Sequence, residues 1–190
     1  MGQIGVSKAR HIRYTHVGGH ACGQLNDMSL HFQIDIAFDL RDSVSTDLIN
    51  GLRNVIENRP LTGEQKKLIP NILKYFSSIE TINAFYGRSV LYFDSHYRYT
   101  RDGIDIAKWT LHIRQVINDD LFYEEGYPLI AWLATISETE GFVGYLKEEL
   151  EQIPRQINFQ NQIVTMCDRI RDDIIFKLDD FDSKLIKWRD

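Results

Sequence analysis

The sequence predicts an α+β domain: a mainly antiparallel sheet of about six strands, two helices after the first strand and a long C-terminal amphipathic helix. Three observations carry this. Leu30 to Leu40 alternates apolar and polar side chains without a break. Arg88 to Asn118 holds two long strand patterns around Asp102-Gly103. Residues 43–82 and 163–188 show apolar side chains at three- and four-residue steps. The strands are expected to lie side by side in the order of the chain.

Leu30, Phe32, Ile34, Ile36 and Phe38 alternate with His31, Gln33, Asp35, Ala37 and Asp39. Successive side chains of a strand point to opposite faces, so this is a strand with one face on the core and the other in water or at an interface. From Ser43 to Asn58 the apolar set Val44, Leu48, Leu52, Val55 and Ile56 has helical spacing, with Ser45 or Thr46 as the cap. A second helical pattern runs from Thr62 to Ile82 and is interrupted by Pro70, where the helix either begins or kinks.

The central hairpin sets a register. A two-residue Asp-Gly loop would set Asp94 against Leu111, a charge against an apolar partner. A three-residue loop, Arg101-Asp102-Gly103, matches Phe93 to Leu111 and Leu91 to Ile113. The second register then sets Tyr92 across from His112, Asp94 across from Thr110 and His96 across from Lys108, with Arg98 and Arg114 nearby.

After the hairpin, Asp119 to Tyr127 reads as an acidic and aromatic loop. Leu129 to Ile136 is apolar in both alternating sets and reads as a strand covered on both sides. Phe142 to Lys147 continues as a strand, with Gly144 marking a bulge or a close backbone approach. Arg155 to Val164 reads as an edge strand. Ile163, Cys167, Ile170, Ile174, Leu178, Phe181, Leu185 and Trp188 form the stripe of the expected C-terminal helix, with Cys167 as a small core residue in it.

Residues 1–27 are set apart as an N-terminal extension, basic and rich in Gly and His, with Met28 as the expected natural start; residues 28–190 are expected to form a single α+β domain. His11, His16, His20 and Cys22 are permitted zinc ligands, but their spacing matches no closed motif, so no metal site is expected. Val6 occupies the position where a myristoylation signal needs Ser or Thr.

Composition narrows the function classes. The chain of 190 residues is 43% hydrophobic and 26% charged, with a formal charge of -5, and its Lys and Arg residues are scattered; phosphate neutralisation needs a basic stripe, so nucleic acid is not an expected partner. The two cysteines, Cys22 and Cys167, form no disulfide framework. No apolar run approaches the roughly 20 residues that span a bilayer. A cytoplasmic protein without membrane contact and without a cofactor is the expectation.

The residues best placed for chemistry are on the polar face of the hairpin. His96 and His112, with Asp94 to orient them, are the candidate catalytic groups; Arg98, Arg114 and Tyr92 are the candidate ligand-binding groups. Histidine moves protons near neutral pH, a carboxylate fixes its orientation, and a guanidinium holds an anion. No nucleophile elbow, phosphate loop, HExxH or paired-ligand motif accompanies them. The charges Glu148, Glu149 and Glu151 are expected on a solvated face. The function ranked first is therefore non-enzymatic binding or regulatory interaction, as a homodimer or with another protein. The alternative is a small-molecule lyase, isomerase or hydrolase working through the His/Asp/Arg cluster.

Overall fold

A computed structural model describes residues 30–76, 82–83, 87–88, 90–99, 105–167 and 173–181. The expectations placed on residues 1–27, on the Arg101-Asp102-Gly103 turn, on the Arg98 side chain and on the C-terminal segment from 182 lie outside the described residues. The chain forms an antiparallel sheet of seven strands, one more than expected, with helices against one face.

Strand β1 (His31–Asp39) is central rather than first. It pairs with β5 (Asp105–Asn118) on one side and β6 (Gly141–Glu148) on the other; with β4 (Val90–Tyr99), β7 (Arg155–Gln160), β8 (Ile163–Cys167) and β9 (Ile174–Lys177) the order is β4-β5-β1-β6-β7-β8-β9. The strands thus do not follow chain order. Phe32, Ile34, Ile36 and Phe38, all but fully buried, fix the core side, with Leu111, Ile113 and Ile117 beside them on β5 and Leu146 on β6. β4 (Val90–Tyr99) pairs with β5 in the register that avoids burying Asp94: Phe93 faces Leu111, Tyr92 faces His112 and His96 faces Lys108. A short ribbon, β2 (Ile82–Asn83) with β3 (Gly87–Arg88), precedes β4.

Helix α1 (Thr46–Ile56) starts where Ser45 accepts a hydrogen bond from the Leu48 N–H, with Asp47 in the first turn and Arg53 in the last, both favourable to the helix dipole. Gly51 is the site of contact with the next helix, since a Cβ there would lie 3.1 Å from Ile69 Cγ1. Helix α2 (Gly63–Leu68) is far shorter than the pattern from Thr62 to Ile82. Thr62 and Gln65 form a capping box at its start. Ile69 precedes a proline, is pushed out of helical geometry and adopts ψ 129°; a 3₁₀ turn, Asn71–Tyr75, follows Pro70.

Leu129 to Ile136 is a helix, not a strand. Asn118 caps it by accepting from the Leu121 N–H at 3.1 Å, and Asp119 and Asp120 fill the acidic first turn of α3 (Asp119–Leu121). A π turn, Phe122–Gly126, leads directly into α4 (Tyr127–Ile136), with Pro128 in its first turn. The expected acidic loop is thus the first turns of one helical rod. Every residue from Pro128 to Ile136 except Thr135 is buried. A helix buried all round shows no amphipathic period, which is why its apolar run resembles a doubly covered strand.

The described residues of the C-terminal segment do not form the expected long helix either. Asn161 and Gln162 take positive φ values of 50° and 66° and make a tight hairpin turn between β7 (Arg155–Gln160) and β8 (Ile163–Cys167). β9 (Ile174–Lys177) closes that edge, and a 3₁₀ turn, Leu178–Asp180, follows. The helical stripe named Ile163 and Cys167, but the chain buries Val164 and Met166 at 0% exposure and leaves Ile163 at 40%. Alternation governs here, and β7, expected at the edge, lies inside the sheet.

Gly144 is the point where β6 meets β1. The β6–β7 register shifts between Phe142 and Gly144, and a Cβ on Gly144 would sit 2.0 Å from the Asp35 carbonyl oxygen. The extra residue changes the phase of the strand. Phe142 and Tyr145 therefore emerge together, ring centroids 4.9 Å apart, on the side away from the core.

Candidate functional site

The side of the sheet away from the helices carries the candidate residues. On β5, Thr110, His112 and Arg114 alternate with the buried Leu111 and Ile113; on β4, Tyr92, Asp94 and His96 lie on the same side. Because β1 lies against β5, its polar set joins them: Asp35 faces Arg114, Ala37 faces His112 and Asp39 faces Thr110.

This placement changes the partners of the histidines. His112 Nε2 lies 2.9 Å from Asp35 Oδ1, and Arg114 Nε lies 3.7 Å from the other oxygen of that carboxylate. Thr110 Oγ1 donates to Asp39 Oδ1 at 2.7 Å and stands 3.0 Å from His96 Nδ1. Asp94 orients neither histidine. It accepts from the Ser95 N–H at 2.7 Å and from the Tyr92 hydroxyl at 3.4 Å. The carboxylates that the histidines meet, Asp35 and Asp39, were visible as the polar half of the first strand. What the sequence withheld was that this strand pairs with β5.

The two histidines take different carboxylates: His112 pairs with Asp35, while the His96 ring reaches along the face to Thr110 and Asp39. Each therefore forms its own His–Asp unit on an exposed sheet surface. A third pair lies at the end of β1, where His31 Nδ1 is 3.1 Å from Glu149 Oε2.

Lys108 points from the same face into a covered position at the sheet end, with its side chain 6% exposed. Its Nζ donates to Asp42 at 2.6 Å and to Glu138, tying β5 to the loops after β1 and α4. Hydrogen bonds to Asp42 and Glu138 raise its pKa above the ordinary 10.5, against the opposing effect of burial. A lysine held this way contributes stability that is complete below 10.5 and is lost as pH rises through the raised value. Thermal unfolding followed from about pH 9 upward should show a decline in wild type that Lys108→Met does not share. Parallel curves would mean that these contacts are not made in solution.

Two further expectations are corrected. Glu148 and Glu151 are not simply solvated, because both pair with Arg155, a side chain 8% exposed on the core side of β7. Cys167 is half-buried on the helix-free side of β8, not in a helix stripe. Burial and the neighbouring Asp173 push its thiol pKa up, which disfavours the thiolate a nucleophile needs. Among the described residues, no group of three or more His, Cys, Asp or Glu side chains is placed to hold a metal ion, and no helix is long and apolar enough to cross a membrane.

Large apolar side chains share this surface and were not recognised as a set from sequence. Tyr92 is 52% exposed, Phe142 50%, Tyr145 43% and Ile175 66%. By register Tyr145 lies beside Asp35, and Ile175 beside Thr165. The surface thus runs from the His–Asp units on β4, β5 and β1 to an aromatic and aliphatic patch on β6 to β9. In comparisons with protein-family models, curated proteins and solved structures, nothing matches this chain.

Proposed function

We propose that this chain is a non-enzymatic binding protein that works as a homodimer through the helix-free face of its sheet. The supporting observation is four large hydrophobic side chains, Tyr92, Phe142, Tyr145 and Ile175, exposed on a face that no described helix covers. An antiparallel sheet commonly presents one side to water, but that side is ordinarily polar. Aromatic side chains gathered on a flat surface are instead the composition of an interface centre.

Size suits a second copy as the partner. Seven strands at about 4.8 Å spacing, over roughly 20–25 Å of length, give on the order of 700–800 Å², close to the ~800 Å² each partner gives to a standard interface. A two-fold axis parallel to the strands, between two facing sheets, closes such a dimer.

The enzyme alternative has less behind it. Its histidines form two separate pairs on an open surface, and the clefts on this molecule that are walled by α1, α2 and the loop after β1 include neither His96 nor His112. A reacting molecule would lack both enclosure and a nucleophile.

Sedimentation equilibrium of the purified protein tests the proposal. Wild type should sediment as a dimer at micromolar concentration. Tyr145→Lys, which places charge at the centre of the patch on an exposed position, should raise the dissociation constant at least tenfold, with an unchanged unfolding midpoint at concentrations low enough for both proteins to be monomeric. A wild-type monomer at the highest soluble concentration, or a dimer indifferent to Tyr145→Lys, overturns it.

A further inference from the structure

The helix side of the sheet holds a second site, independent of the open face. Between α1, α2 and β4 runs a cleft of about 650 Å³, with Asn50, Arg53, Asn54, Gln65 and Phe93 among its walls. That volume lies within the usual range for small-molecule pockets.

Two donors in it are held in place and have no acceptor among the described residues. The Arg53 guanidinium stacks over the Trp109 ring at 4.3 Å, and Trp109 stacks on Phe93 with centroids 4.8 Å apart and planes inclined by 21°. Among the described residues Arg53 has no carboxylate partner, so its charge is held in place by an aromatic face with its hydrogen-bonding fork unspent. Gln65 is 6% exposed, and its Oε1 accepts from the Thr62 N–H at 3.0 Å and from Asn54 Nδ2 at 3.1 Å. Those two donors fix the orientation of the amide. Its Nε2, with two hydrogens, has no acceptor among the described residues, and the residue lines the cleft. That nitrogen is open to the cleft, where water or a ligand oxygen can accept from it.

We propose that this cleft binds a small planar monocarboxylic acid. Its carboxylate takes hydrogen bonds from the Arg53 guanidinium and the Gln65 amide nitrogen, and its ring lies against Phe93. The remaining charges favour a single negative charge over several. Glu57 is already paired with Arg59 at 2.8 Å, and Asp94 contributes an exposed carboxylate to the same walls, which repels a polyanion.

Titration followed by ¹H–¹⁵N NMR tests this, with benzoate as the probe, benzamidine as the same ring carrying the opposite charge, and inorganic phosphate as charge without a ring. Benzoate should shift the Arg53 Nε–H and Gln65 side-chain amide signals in a saturable way, and benzamidine should leave them in place. Arg53→Gln, a substitution of equal helix propensity on an exposed position, should weaken benzoate at least tenfold; Arg53→Lys, which keeps the charge and loses the planar fork, should weaken it several-fold. The proposal fails if benzoate gives no saturable shift, if benzamidine shifts the same signals equally, or if Arg53→Gln binds as wild type does. Phosphate binding as tightly as benzoate would remove the ring from the recognition and overturn it as well.

Discussion

Gly144→Ala is expected to lose about 3–5 kcal/mol of stability, one of the largest effects available to a single methyl group in this chain. The added Cβ meets the Asp35 carbonyl oxygen at 2.0 Å and the Ile36 Cα at 2.8 Å, both backbone atoms of the central strand. No rotamer change relieves a clash with backbone. β6 must move away from β1, and with it the pairing of Ile34 with Leu146 at the middle of the core. With an m-value near 2 kcal/mol/M, the urea midpoint should fall by roughly 2 M. Gly63→Ala is the control, because nothing lies within 4 Å of its Cβ and the position is helical; it should be neutral or slightly stabilising. Equal midpoints for the two variants would show that β6 does not approach β1 in this way. The same substitution also disturbs the phase that brings Phe142 and Tyr145 together, so a folded remnant should dimerise weakly.

Phe122→Ala should cost about 3–5 kcal/mol, whereas Tyr123→Ala, one residue along, should cost about 1 kcal/mol or less. Phe122 is fully buried, stacked on Phe32 with centroids 4.2 Å apart and planes inclined by 14°. Tyr123 is 54% exposed and meets the same ring only edge-on. Removing Phe122 takes its apolar area from the core and leaves a cavity between the helical rod and β1. Guanidinium melts of the two variants decide between a π turn packed on the sheet and the surface loop that Asp119 to Tyr127 resembles. Two small, similar losses would restore the loop.

The residues that were legible are those whose local chemistry admits one answer. Leu30 to Leu40 alternates so strictly that only a half-buried strand satisfies it, and Phe32 to Phe38 line the core as that alternation requires. The hairpin register followed from refusing to bury Asp94 against Leu111, and it is the register formed. Gly144 marked its own bulge. Of the two caps offered, Ser45 and Thr46, Ser45 starts α1.

Elsewhere the local signal had two solutions. Pro128 to Ile136 is apolar at every period, so neither alternation nor helical spacing could be read from it. The cap at Asn118 and the acidic pair Asp119-Asp120 were the better evidence, because they state where a helix begins regardless of what it packs on. Ile163, Cys167, Ile170 and Ile174 keep helical spacing, yet Val164 and Met166 between them are the residues that the core takes. The Asn161-Gln162 turn, with both residues at positive φ, decides in favour of the hairpin.

The sequence by itself determined the class of fold, the inner and outer sides of β1, β4 and β5, and which residue types line the outer side. Only the tertiary structure decided that β1 lies between β5 and β6, since strand order depends on which hydrophobic faces can be covered together and not on neighbours in the chain. That one fact gives His112 the carboxylate of Asp35, joins Asp39 to His96 through Thr110, and extends the outer face to the aromatic patch at Phe142 and Tyr145. A side chain's partner across a sheet is set by long-range pairing, and that pairing is fixed by burial over the whole core.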